Sequence, residues 1–154
     1  MSEWKRSTRE LSFDQLPIEI KTEINRHIEF YNLGDILSGT LMCIHSSATK
    51  AKAGLFGAAE TNQMGVVLAP RWLVWVITGT KSPGSALSAL LQDIVVQDYA
   101  DTPFAKMVPD SGVQVNGKFT DVSESASAFI GLEENEAGSK FKELLVNAVQ
   151  DAKK

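Results

Sequence analysis

The sequence predicts a mainly β protein with α-helices: a small antiparallel barrel of about seven strands, with one helix before it and one after it. Three observations predict this class. Apolar residues in the middle of the chain recur at every second position, the runs are separated by hairpin-length connections, and the C-terminal residues change to helical spacing. Short connections require antiparallel pairing, because a parallel step needs a crossover of about a dozen residues or more.

Length and composition indicate a single globular domain. The chain has 154 residues, of which 44% are hydrophobic and 22% are charged, values that are ordinary for one folded domain. Residues 1–12 carry charges without periodicity, and we predict a loose N-terminal arm there. Residues 13–154 are predicted to form one domain, with a barrel over 36–132 between its two helices.

The first helix is predicted over residues 14–33. Its apolar stripe has four-residue spacing and consists of Leu16, Ile20, Ile24 and Ile28. Pro17 suits the first helical turn, and Gly34 ends the segment. If the C-terminal helix already closes the barrel, this stripe needs another apolar surface, in the same subunit or in a second one.

Short runs with strand composition follow, each bounded by turn residues. They cover residues 36–46, 53–60, 64–68, 72–77, 86–91, 93–99, 112–119 and 127–132. The turn Ala69-Pro70-Arg71 predicts a tight hairpin, and residues 81–85 predict a loop. Asn116-Gly117 favours a type I′ turn, because both central positions of that turn need positive φ.

The C-terminal helix, predicted over residues 134–152, has the clearest pattern. Its stripe consists of Ala137, Phe141, Leu144, Leu145, Ala148, Val149 and Ala152. Glutamates cluster at its start and lysines at its end, which matches the helix dipole. We expect its apolar face to cover an open end of the barrel.

Charge and residue content exclude several classes of function. With 15 Lys and Arg against 19 Asp and Glu, the net charge is −4, and the scattered basic residues are a poor match for nucleic acid. One cysteine, Cys43, excludes an internal disulfide, and two histidines on different elements, His27 and His45, predict no metal site. We predict no cofactor.

No apolar stretch is long enough for a signal peptide or a transmembrane segment, so we expect a cytoplasmic protein.

Three segments carry a recognisable family pattern. Residues 67–75 combine an apolar strand, a short Arg-containing turn and an aromatic-rich strand; residues 90–96 place an Asp-Ile pair before an apolar run; residues 131–133 lead into the C-terminal helix. Over residues 36–150 the chain thereby resembles the bacterial pleckstrin-homology-like domains. Ala69 stands where that pattern often has Thr, and the helix over 14–33 is an addition.

This resemblance implies two nearly orthogonal antiparallel sheets closed at one end by a helix. It implies a binding platform for lipids, peptides or other subunits, and it supplies no catalytic residue. In eukaryotic pleckstrin-homology domains, the loop between the first two strands binds phosphoinositide headgroups. Lys50 and Lys52 lie in the corresponding predicted loop and are candidates for anion binding, although a solvated loop is the competing interpretation.

Two tryptophans complete the candidate interface residues, which are Leu16, Ile20, Ile24, Ile28, Trp72 and Trp75. Trp72 and Trp75 lie three apart on one predicted strand, so they point to opposite faces, and one of them is available for a partner unless both are core. Cys43 and His45 share a strand face, but we interpret them as a core thiol beside a histidine rather than a nucleophilic pair.

The sequence thus predicts a non-enzymatic module for protein interaction or self-assembly, with a homo-oligomer as one form. Two alternatives stay open. One is binding of an anionic lipid headgroup or small ligand at the loop between the first two strands. The other is an enzyme of unrecognised type, because catalytic groups converge in space rather than in sequence.

Overall fold

The described part of the chain contains eight strands and two helices of several turns. It comprises residues 4–50, 60–80, 82–108, 110–120 and 122–154 of a computed structural model. In chain order the elements are β1 (Trp4–Leu11), α1 (Ile18–Phe30), β2 (Met42–Lys50), β3 (Glu60–Leu68), β4 (Trp72–Gly79), β5 (Ser82–Leu90), β6 (Ile94–Asp98), β7 (Gly112–Lys118), β8 (Ser125–Gly131) and α2 (Glu136–Ala152).

The strands form two antiparallel sheets in which neighbours along the chain are neighbours in space. β1 to β5 form a sheet in sequential order, and β6 to β8 form a second sheet in sequential order. The mainly β class is therefore confirmed. The predicted hairpin around Ala69-Pro70-Arg71 is also confirmed, since β3 and β4 pair on either side of it.

The predicted small barrel is not a closed one. No strand pairing joins the two sheets within the described residues. A 3-10 turn over Leu91–Asp93 interrupts the chain between β5 and β6. Elsewhere, individual bonds bridge the sheets: the Thr120 N–H donates to the Ser88 carbonyl at 2.9 Å, and the Ser46 Oγ donates to the Gly131 carbonyl at 2.7 Å. The protein is therefore a two-sheet structure with open seams.

Apolar side chains between the sheets form the main core, and α2 closes it. Phe141, Leu145 and Val149 of α2 are buried in this core. Asn135 caps the helix, because its Oδ1 accepts a hydrogen bond from the Gly138 N–H at 2.8 Å. The predicted C-terminal helix over 134–152 is confirmed, apart from a slightly later start.

The helix α1 covers the other face of the five-stranded sheet. A second buried cluster joins it to that face and consists of Leu16, Ile20, Ile24, Ile36, Cys43, Val67, Val74 and Val76. Ile28 packs partly buried against the same cluster. The interface predicted at Leu16, Ile20, Ile24 and Ile28 is therefore corrected, because the chain's own sheet covers this stripe. The helix is also shorter than the predicted 14–33.

The predicted loose arm is wrong for residues 4–11, which form β1 and pair with β2 along their whole length. The inward positions of β1 are polar, so they give no apolar alternation. Thr8 is buried, and its Oγ1 lies 2.8 Å from the Ser46 Oγ. The Arg6 guanidinium forms two hydrogen bonds with the Asp110 carboxylate, at 2.5 and 2.7 Å. Polar contacts therefore hold this strand.

Other strand boundaries also differ from the prediction. The strand predicted over 36–46 begins at Met42, and the one predicted over 53–60 lies outside the described residues except for Glu60. The predicted loop over 81–85 overlaps β5, an edge strand, where proline is tolerated.

Asn116-Gly117 lies within β7 rather than in a turn. Gly117 has φ 149°, and a side chain there would collide with the Asp93 carbonyl, so close strand approach explains this glycine.

Gly65 of β3 sets the distance between α1 and the sheet. A Cβ at this position would collide with the Cγ2 of Ile20. We expect Gly65→Ala to reduce the free energy of unfolding by about 1–3 kcal/mol, because the added methyl group overpacks the contact. Urea unfolding of Gly65→Ala, Ile20→Ala and the double variant tests this. Gly65→Ala should reduce the free energy of unfolding by less in the Ile20→Ala variant than in the wild type. Equal reductions in the two proteins would contradict the proposed contact.

Candidate functional site

The predicted anion-binding residues lie at the edge of the described chain. Lys50 is the last residue of β2, and Lys52 lies outside the described residues. Anion binding at Lys50 and Lys52 therefore stays a prediction.

The two tryptophans point to opposite faces of β4, as predicted, but both contribute to packing. Trp75 is fully buried between the sheets, with its ring edge-on to Phe119 at a centroid distance of 5.2 Å. Trp72 is partly buried and packs against the cluster beneath α1. The interface predicted at Trp75 is therefore wrong, since none of its surface is exposed, and Trp72 is an edge of the second core.

Cys43 and His45 do not form a nucleophilic pair. Cys43 is buried beneath α1, and this burial raises the pKa of its thiol to about 12, so the thiol is protonated at neutral pH. The His45 Nε2 lies 3.0 Å from the Gln63 Oε1, which gives the imidazole a different partner. This supports the interpretation of Cys43 as a core residue.

A buried chain of polar side chains links α1 to β5. The His27 Nε2 lies 2.7 Å from the Ser88 Oγ, which in turn lies 2.6 Å from the Thr120 Oγ1. Ser88 has no exposed surface, so a substrate has no access to its hydroxyl. We interpret this contact as a structural link. Residues so far apart in sequence gave no spacing signal that could have predicted it.

Two further results concern the described residues only. Neither α1 nor α2 is long and apolar enough to cross a lipid bilayer. No group of three or more His, Cys, Asp and Glu side chains there is placed to hold a metal ion.

The connection between β6 and β7 exposes three large apolar side chains. Phe104, Met107 and Val108 are 57%, 80% and 58% exposed. Phe104 lies within a 3-10 turn over Pro103–Lys106, and Met107 and Val108 directly follow it. Exposed apolar residues scattered singly are ordinary, whereas a contiguous group is typical of an interaction site. We name Phe104, Met107 and Val108 the apolar loop.

Tyr99 holds the backbone of the apolar loop from beneath. Its hydroxyl donates to the Val108 carbonyl at 2.6 Å and lies 3.4 Å from the Phe104 carbonyl. Its buried ring packs on Phe129 of β8, with a centroid distance of 5.0 Å. The Thr102 Oγ1 also donates to the Tyr99 carbonyl at 2.7 Å. The loop therefore presents its side chains from an anchored backbone.

A partly apolar cavity of about 260 Å³ adjoins the apolar loop. It lies at the seam between the sheets and is lined by residues that include Ala48, Met64, Ile77, Val108 and Phe129. Arg6 and Asp110 form its polar side, and the Arg6 guanidinium lies 5.2 Å from the centroid of the Phe129 ring.

A second depression, of about 440 Å³, is acidic. Five carboxylates and one ammonium line it, those of Asp98, Asp110, Glu133, Glu134, Glu136 and Lys142. We name it the acidic cleft. It shares Asp110 with the apolar cavity, so the two depressions lie on either side of the same residue. The Lys142 Nζ donates to Asp98 Oδ2 at 2.7 Å, and this bond holds the pKa of the Asp98 carboxyl below its ordinary value.

Sequence reasoning missed the apolar loop and the acidic cleft. One local signal was available: four of the five residues at 104–108 are apolar, although they lie in a connection with proline on both sides. For the acidic cleft, the sequence showed only the glutamates at the start of α2, and it did not show that Asp98 at the end of β6 and Asp110 before β7 lie beside them. Comparisons with protein families, with curated proteins and with solved structures gave no match.

The buried thiol of Cys43 provides a test of α1 docking. We expect a thiol reagent at pH 7 to modify Cys43 only as fast as α1 opens from the sheet, because the thiol is covered and protonated. A Cys43→Ala, Thr49→Cys variant, with an exposed thiol on the same strand, should react immediately. Equal rates for the two proteins would contradict the burial of Cys43.

The ion pair between Asp98 and Lys142 gives a pH-dependent prediction. Because folding lowers the pKa of Asp98, the pair stabilises the protein above the unfolded pKa of about 3.9 and loses its effect as the pH falls through the folded value. We expect Lys142→Met to reduce the free energy of unfolding by about 0.2–1 kcal/mol at pH 7, since the pair is partly exposed. The reduction should be smaller at acidic pH. Thermal unfolding at both pH values measures this, with exposed Lys153→Met as the control. A cost that is independent of pH would rule out the charge as its cause.

Proposed function

We propose that the protein is a non-enzymatic protein-interaction module with a pleckstrin-homology-like architecture, and that its contact surface is the apolar loop with the two depressions beside it. The order of elements supports the architecture. The described strands form two antiparallel sheets, and α2 follows them and closes the core between them, which is the arrangement that the resemblance implies.

The observation that carries the proposal is the exposure of three adjacent large apolar residues on an anchored loop. Full burial stabilises a side chain of this size by about 1.5–3 kcal/mol, and Phe104, Met107 and Val108 forgo much of that stabilisation because each is more than half exposed. Tyr99 already fixes the loop backbone. Binding of a partner to these side chains therefore costs less conformational entropy of the loop.

The structure changes the relative weight of the alternatives. Self-assembly was inferred from the stripe of α1, which the sheet covers, so a different protein is the favoured partner. Binding of an anionic headgroup or small ligand at Lys50 and Lys52 stays an alternative. An enzyme is less favoured, because the thiol of Cys43 and the hydroxyl of Ser88 are both buried.

Site-specific photo-crosslinking in cells tests the proposal. A photo-reactive amino acid in place of Met107 should capture a defined protein, which the same amino acid in place of exposed Thr40 does not capture. The captured protein, once purified, should bind the wild-type chain and should bind Phe104→Ser at least about tenfold more weakly, a loss of about 1.4 kcal/mol. Phe104→Ser should unfold within about 0.5 kcal/mol of the wild type, because Phe104 is mainly exposed.

Two results would overturn the proposal. One is identical crosslinking from positions 107 and 40, since the apolar loop would then have no partner of its own. The other is unchanged binding of the purified partner by Phe104→Ser, since the contact would then lie elsewhere on the protein.

A further inference from the structure

The apolar loop and the acidic cleft belong to one continuous surface. The end of β6 supplies Asp98 to the cleft, and the connection between β6 and β7 supplies Ala100 and Asp110 to the cleft and Val108 to the apolar cavity. Asp110 lines both depressions. A partner that covers the apolar loop therefore lies beside the cleft as well, so the charge of the cleft bears on the choice of partner.

The charge of the cleft is negative after its internal ion pairs are counted. Lys142 neutralises Asp98, and Arg6 neutralises Asp110. The Glu133 Oε1 accepts hydrogen bonds from the Thr8 N–H and the Asn135 side chain, neither of which carries a charge. Glu134 and Glu136 are exposed at the start of α2, and no described residue forms an ion pair with either. Among the described residues, three carboxylates of the cleft, those of Glu133, Glu134 and Glu136, therefore have no ion-pair partner.

We infer that the partner is a basic segment of another protein, in which lysines or arginines face the acidic cleft and a large apolar side chain contacts the apolar loop. This inference rests on the proposed function and adds the chemistry of the partner to it. Charge complementarity selects this occupant: cations are attracted to the three uncompensated carboxylates, whereas an acidic segment is repelled by them.

The same argument disfavours two other occupants of this surface. A second copy of the chain carries the same net charge of −4, so its approach to the cleft is disfavoured overall by charge repulsion. An anionic lipid surface would be repelled for the same reason. The apolar loop is therefore assigned to a partner whose contacting segment is positively charged.

The two parts of the surface contribute differently to binding. Ion pairs in exposed surroundings each contribute little to affinity, so the apolar contact supplies most of it. The carboxylates select the partner, raise the association rate and make it dependent on salt.

A pair of labelled peptides tests this inference by fluorescence anisotropy. The first has lysines on both sides of a central Leu-Phe pair, and the second has glutamates in place of the lysines. We expect the wild-type chain to bind the basic peptide at least about tenfold more tightly than the acidic one at low salt, and we expect this preference to shrink as salt is added.

Two matched double variants distinguish attraction by the acidic cleft from attraction by the overall negative charge of the protein. Glu134→Gln with Glu136→Gln should weaken the basic peptide severalfold, whereas Glu19→Gln with Glu29→Gln removes two exposed carboxylates of α1 and should have no effect. Equal losses in the two double variants would overturn the inference, because the attraction would then be non-specific. Thermal unfolding of each variant confirms that the fold is retained.

The outcomes also distinguish this inference from the proposed function. If the protein captured at position 107 contacts the loop through an acidic segment, or if the acidic peptide binds more tightly, the partner chemistry is wrong and the interaction module stands. If Met107→Ser converts a dimer of this chain into a monomer, the occupant is a second copy, and the inference falls. If the basic peptide loses affinity with both Glu134→Gln/Glu136→Gln and Met107→Ser, the inference is confirmed.

Discussion

The rest of the structure depends on burial of both faces of the five-stranded sheet. One face packs against β6 to β8 and α2, and the other packs against α1. Alternate residues of β3 and β4 therefore enter different cores: Val66 and Trp75 lie between the sheets, while Val67 and Val74 lie beneath α1. Because neither face is left for water, the sheet fixes the position of α1 on one side and of the second sheet on the other.

The parts of the fold that could be predicted from sequence are those in which side-chain pattern and backbone agree locally. The hairpin around Pro70 and the helix α2 carried such patterns, and the structure confirms both. The strand β1 could not be predicted, because Arg6 and Thr8 point inward and find their partners far away in sequence, at Asp110 and Ser46. Apolar alternation detects a strand only where its buried face is apolar.

The candidate site was hidden for a related reason. The exposure of the apolar loop depends on Tyr99, which bonds the loop backbone and packs on Phe129. The acidic cleft needs three separate elements to meet. From the sequence alone, the favourable interaction of acidic residues with the helix dipole explains why Glu134 and Glu136 lie at the start of a helix. In the proposed interaction they would also attract a basic partner, because they line the acidic cleft together with Asp110.

Both N-terminal elements attach to the same sheet: β1 extends its edge, and α1 covers its outer face. A shorter protein built only from the counterparts of β2 to α2 would leave the face bearing Val67, Val74 and Val76 in contact with water. Such a shortened chain would therefore need hydrophilic residues at these three positions. The apolar character of that strand face is thus tied to the presence of α1.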